Sequence, residues 1–264
     1  MRAIWNLFIG LVCVTFCSIA ALAGDWDNTK HAIVLDGKLY TIEMTGAMYV
    51  TDLSNGTWKQ LGKPDFGKTK LLVAGTSNLF TIEDDGNLFR VSPADGTWSR
   101  VGRSGDWKNT MVGAAIGDKL YTVETEGALF ETDLTNGSWR KIVDREFIRT
   151  WYFFSDGGRL YSIEQDGYYH SVNPATGAKK RISNSNDWLN TKRATMYNGK
   201  LFSTEGGALY VTDPTNGTWK QIGKKEFGET DFLFGAGGSL YSIALNGNLY
   251  KISPADGTWV QIGK

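Results

Sequence analysis

The chain has 264 residues, 41% hydrophobic and 13% aromatic, with 28 basic side chains balanced by 28 acidic ones. That composition argues against disorder, and the balanced charge argues against a nucleic-acid binder that works by neutralising phosphates. Frequent glycine (32 residues) beside 10 Trp, 11 Tyr and 13 Phe points to many short strands joined by tight turns.

Residues 1–23 read as a secretory leader. Arg2 supplies the positive start, Leu7 to Ala20 form an apolar run, and Ala21-Leu22-Ala23 is a small-x-small cleavage site. The run is short for a membrane span, so the expected product is a secreted or periplasmic chain, 24–264, with no span after cleavage. Cys13 and Cys17 both fall in the leader, preceded by Val12 and Phe16 and not by the small residue of a lipoprotein signal. The mature chain therefore has no disulfide, thiolate metal site or cysteine nucleophile. Loss of Arg2 leaves it a net charge of about −1.

From there on the chain repeats itself. Leu39-Tyr-Thr-Ile-Glu43 returns as the segments 79–83, 120–124, 160–164, 201–205 and 240–244, at spacings of 40, 41, 40, 41 and 39. Each copy is preceded by acidic-aromatic-x-x-Thr, starting at Asp25, Asp65, Asp106, Glu146, Asp187 and Glu226. Each is followed by Gly-Thr/Ser-Trp, at Trp58, Trp98, Trp139, Trp219 and Trp259, except that Lys179 stands in the fourth unit. Every unit holds four β signals. Strand a follows the threonine and strand b is the pentapeptide. Strand c follows a turn such as Asp84-Asp85-Gly86. Strand d follows Asn-Gly or Asp-Gly, expected to be hairpin turns with φ > 0 at both positions. No segment has a helical period.

Four antiparallel strands every forty residues, six times, predict one all-β domain, a six-bladed β-propeller. The rival is an elongated solenoid, which needs atypical end units. None is visible. A second period groups the blades in pairs, as a pseudo-three-fold. Units one, three and five carry Asp-Trp-x-Asn-Thr; units two, four and six carry Phe66, Phe147 and Phe227 in place of Trp.

The stretch 232–264, FLFGAGGSLYSIALNGNLYKISPADGTWVQIGK, has Gly-x-Leu-Tyr, a second x-Gly-x-Leu-Tyr and a Trp-x-x-Ile-Gly edge. It resembles the repeats of tachylectin-type and tectonin-type lectin propellers. That resemblance implies glycan binding in grooves between blades.

Candidate ligand-binding residues follow from the odd units: Asp25, Trp26 and Asn28; Asp106, Trp107 and Asn109; Asp187, Trp188 and Asn190. Indole faces stack on sugar C–H surfaces, and Asp and Asn bind hydroxyls. The other reading has these tryptophans packed between blades, like the even-unit phenylalanines. Glu43, Glu83, Glu124, Glu164 and Glu205, with Ala244 in sixth place, are expected to lock adjacent blades by accepting hydrogen bonds. The strand-d tryptophans are expected to cover the blade edge. Asn55, Asn136 and Asn216 each open an Asn-Gly-Thr/Ser sequon. With His31 and His170 at unmatched positions, neither a zinc cluster nor a Ser-His-Asp set can be drawn. No catalytic set, metal or cofactor is assigned. The leading expectation is an exported lectin-like protein whose partners are glycans or a surface protein. The alternatives are a protein-interaction scaffold, with blade four as its most divergent patch, and a metal-assisted hydrolase or lactonase using channel carboxylates.

Overall fold

The computed structural model describes residues 24–264; the expected leader, 1–23, lies outside the described residues. Twenty-four strands form six four-stranded antiparallel sheets, and each sheet is built from four consecutive strands. In blade one these are a (Thr29–Leu35), b (Lys38–Glu43), c (Met48–Asp52) and d (Trp58–Leu61). Strand a of each blade packs on strand a of the next, and Thr230–Ala236 of blade six packs back on Thr29–Leu35 of blade one. The elements are therefore a closed ring and not an open superhelix. Among the described residues no helix is long and apolar enough to cross a membrane.

Burial follows position in the blade. Strand b is buried on both of its faces: Leu39, Tyr40, Thr41 and Ile42 are all inside. Strand d is an outer edge, and in blades one, two and five only its last residue is buried, as Leu61 is. The core is accordingly not one mass but six, one per blade junction. Trp26 and Leu39 of blade one, for example, pack with Tyr241, Ile243 and Leu249 of blade six. This is why a single blade cannot bury its apolar surface alone.

The ring is latched by backbone. The amide of each crossing-loop aromatic donates to the carbonyl of the b–c turn glycine one blade back: Phe66 to Gly46, Trp107 to Gly86, Phe147 to Gly127, Trp188 to Gly167 and Phe227 to Gly207, at 2.8–3.2 Å. Trp26 donates to Gly247 at 3.1 Å and Gly24 to Asn246 at 2.7 Å, which joins the first blade to the last in the same way. Gly127 shows why glycine stands there: its φ is +84°, and a Cβ would lie 2.4 Å from the amide nitrogen of Ile148. These bonds place every crossing loop and every b–c turn on one face of the ring.

The c–d turns differ from expectation. Asn55 does not have φ > 0, and Gly56 alone does. The loop is longer, closed by Gly56 N–H to Asp52 O at 2.8 Å. Asn55 instead uses its side-chain oxygen, which accepts from Thr57 N–H at 2.9 Å and Thr57 Oγ1 at 2.8 Å. Two-residue turns with both positions left-handed occur instead between strands a and b, at Asp36-Gly37, Gly157-Gly158, Asn198-Gly199 and Gly237-Gly238, and between strands b and c of blade five, at Gly206-Gly207.

Candidate functional site

The odd-blade tryptophans are core residues. Trp26, Trp107 and Trp188 are only 3–4% exposed, so their indole faces are not open for sugar stacking as expected. The physical reason is their place at the blade junction: Trp107 lies against Gly102 of the preceding blade, and Trp26 against Gly263. A buried indole N–H needs an acceptor. Trp107 Nε1 donates to Thr132 Oγ1 at 3.1 Å, and Trp26 Nε1 points to Thr51 Oγ1 at 3.4 Å. The even blades, with Phe and no donor, have Val91, Val172 and Ile252 at the matching strand-c position.

The acids beside these tryptophans have another partner. Asp25, Asp106 and Asp187 each accept from the strand-d indole of their own blade, Trp58, Trp139 and Trp219, at 2.8 Å. Asp65 and Glu226 do the same with Trp98 and Trp259 at 3.1 and 2.9 Å. Of the asparagines, Asn190 reaches Glu205 Oε1 at 3.1 Å, whereas Asn28 bonds its neighbour Asp27 at 2.7 Å. Asn109 is exposed.

The strand-d tryptophans are thus oriented and not merely laid over an edge. They are 43–49% exposed, each edge-on to the strand-c aromatic beside it, as Trp219 is to Tyr210 at 5.4 Å and 83°. Together with the crossing loop and the end of strand b they wall a repeated cavity. In blade five it measures about 330 Å³ and is lined by Asp187, Trp188, Asn190, Glu205, Tyr210 and Trp219, among others. In blade two it measures about 360 Å³, with Asp65, Phe66, Lys68, Glu83, Phe89 and Trp98. Blades three and six have smaller versions, about 70 and 180 Å³. Of the expected site residues, Asp187, Trp188 and Asn190 meet in one cavity, and Asp106 and Trp107 in another. The strand-d indoles were not among them, although the spacing of acid and tryptophan, 33 residues in four blades and 32 in blade five, was there to be read.

The glutamates bond within a blade, not between blades. Glu83 is buried and accepts from Thr69 Oγ1 at 2.7 Å, pinning strand a to strand b. Glu164 accepts from Thr150 and Ser162 at 3.2 and 2.9 Å. Glu43, Glu124 and Glu205, in the odd blades, are half-buried. Burial pushes the carboxyls of Glu43, Glu83 and Glu124 up from their ordinary range, opposed in Glu83 by the Thr69 hydrogen bond. Side-chain hydrogen bonds between blades come instead from strand a and strand c: Lys70 donates to Lys108 O at 2.6 Å, Tyr152 to Lys192 O at 2.7 Å and Arg90 to Leu134 O at 2.8 Å.

The central channel holds a cavity of about 340 Å³ walled by strand-a residues such as Ile33, Leu72, Val73, Ala114, Phe153 and Phe234. Its lining side chains are mostly apolar, with Ser155 and Thr195 among them and no carboxylate, and among the described residues no three His, Cys, Asp or Glu side chains converge to hold a metal.

A family model described as "DUF6242 beta propeller domain" matches residues 22–150, just under half of the chain. The match spans the first three blades. No curated protein matches. Among solved structures, that of YCF48 bound to D1 peptide shares the fold at TM-score 0.60 and 15% identity, over 90% of this chain and 83% of that one. YCF48 from Cyanidioschyzon merolae gives 0.57 and 15%, over 86% and 83%. A protein of unknown function from Bacteroides thetaiotaomicron gives 0.66 and 12%, over 85% of this chain and 69% of that one. At these identities the likeness is one of fold. It lends no support to the tachylectin and tectonin resemblance beyond the propeller itself.

Proposed function

We propose that this is an exported binding protein that docks a protein partner on the crossing-loop face of the ring. One observation carries this reading. Met44, Met111, Ile148, Trp151, Leu189 and Leu245 are 37–64% exposed. All six sit in crossing loops, in b–c turns or at the start of strand a, hence on one face. Large apolar side chains gathered on one face of a soluble domain mark an interaction surface. YCF48, which shares the fold, has been seen bound to D1 peptide, and this agrees with a peptide-binding use of the fold.

A glycan reading keeps one specific support, the half-exposed strand-d indoles, each with a carboxylate on its N–H. Arrays of peptides and of glycans, probed side by side with the purified protein, separate the two. Peptide binding is expected, and Met111→Glu or Leu189→Glu should weaken it about tenfold or more, since each places a charge in a contact that must be dry. Glycan binding that ignores both substitutions, with silent peptides, overturns the proposal.

A further inference from the structure

Blade four fills its own pocket. Lys179 stands where the other blades have the strand-d tryptophan. Its ammonium lies 3.5 Å from Glu164 Oε1 and 4.9 Å from the centre of the Phe147 ring, and it donates to the carbonyl of Glu146. Carboxylate, aromatic face and loop carbonyl are the three things a desolvated ammonium needs: a counter-charge, a polarisable wall and an acceptor.

Blade five has the same parts around an open cavity. Glu205 occupies the place of Glu164 and Asp187 that of Glu146, its carboxylate accepting from Trp219 and Ser185; Trp188, in the place of Phe147, is buried, so the open aromatic faces are those of Tyr210 and Trp219. Tyr210 and Trp219 close the sides, and no lysine or arginine lines the cavity. Two carboxylates with no basic residue among the walls favour a cation. The aromatic walls favour one presented on an apolar stem.

We propose that the blade-five pocket binds the primary ammonium of a lysine side chain on the partner protein, as Lys179 occupies blade four from within. This rests on the protein-docking reading for the source of the lysine. Blade two is a weaker second site, because Lys68 lines its pocket and repels a second cation. Blade six lacks the strand-b carboxylate, with Ala244 in its place.

The test has two arms. In the first, the indole N–H resonance of Trp219 is followed by NMR during titration with three probes: capped lysine amide, capped norleucine amide and glucosamine. Lysine amide should shift it saturably, norleucine amide should not, and Glu205→Gln should weaken the response at least fivefold. In the second arm, Lys179→Ala is heated with n-propylammonium chloride or n-propanol. The ammonium restores the side chain that was removed, so it should recover much of the lost melting temperature where the alcohol does not. Equal response to norleucine and lysine, a response to glucosamine alone, an unchanged Glu205→Gln titration, or equal rescue by propanol overturns the proposal. If peptides bind the face irrespective of lysine content, the docking reading stands and this inference falls. If lysine amide binds while the peptide array stays silent, the pocket stands and the docking reading falls.

Discussion

Odd and even blades solve the same junction in two ways. In blades one and three a buried indole N–H meets a strand-c threonine, and in blade five Trp188 and Thr212 hold the same places without a hydrogen bond between them; in blades two, four and six the matching pair is a phenylalanine with valine or isoleucine. Adding one N–H to the core obliges the chain to add one acceptor opposite it, because an unmet donor costs on the order of 1–3 kcal/mol. In blades one and three the alternation of the sequence is thus first a pairing rule of the core. A residue that recurs three times in a ring of six is not on that account a ligand site.

The comparison also isolates what both blade types share, the b–c turn glycine that receives the next blade's amide. Gly86 receives odd-type Trp107 and Gly127 receives even-type Phe147. A methyl at either position meets backbone at 2.4 Å, and the positive φ adds about 1–2 kcal/mol. Gly86→Ala and Gly127→Ala should each cost about 3 kcal/mol or more in urea unfolding. If one of them is tolerated, the latch is not a six-fold element.

A smaller effect tests the pairing rule. Trp107→Phe removes a ring and the only donor to Thr132 Oγ1 given by the structure, and should cost about 2 kcal/mol. Thr132→Val alone leaves the indole N–H without its partner and should cost about 1–2 kcal/mol. The double variant reproduces the even-blade pair, so it should be more stable than the two losses added together, by about 1 kcal/mol of coupling. Simple additivity would mean that Trp and Thr alternate for separate reasons.

Much of this architecture could be read in advance, and for a reason. The repeat makes six independent copies of each strand and turn signal, and strand b, Leu79–Glu83, has the bounds the pentapeptide implies. The site was less legible because it depends on which way a side chain faces across a junction. Asp-Trp-x-Asn-Thr looks alike whether its indole points outward or, as Trp107 does, inward against Gly102. The Gly-Thr-Trp tryptophans look like edge cover until their N–H is seen on the acid of the crossing loop. Lys179 was visible as a break in the repeat. Only coordinates show that its ammonium sits over the Phe147 ring beside Glu164.

The glutamates give the finest test of the odd and even difference. In even blade two, Glu83 is buried on Thr69 Oγ1; in odd blade three, Glu124 is half-buried and Thr110 Oγ1 is buried without a partner. Burial raises the Glu83 carboxyl above its ordinary range and outweighs the hydrogen bond that opposes it. The folded state then holds this proton more tightly than the unfolded state, so the contribution of Glu83 to stability falls as pH rises from the ordinary carboxylate range through the raised value. Glu83→Gln keeps an oxygen for Thr69 and does not titrate. It should melt about 1–2 °C above the parent at neutral pH, a difference of roughly 0.5 kcal/mol in a chain of this size. That gap should close in acid, where the parent carboxyl is protonated. A parent that melts higher than Glu83→Gln at neutral pH, and loses the advantage as pH falls, would show that the ionised carboxylate is favourable in its place and that the Thr69 hydrogen bond outweighs burial.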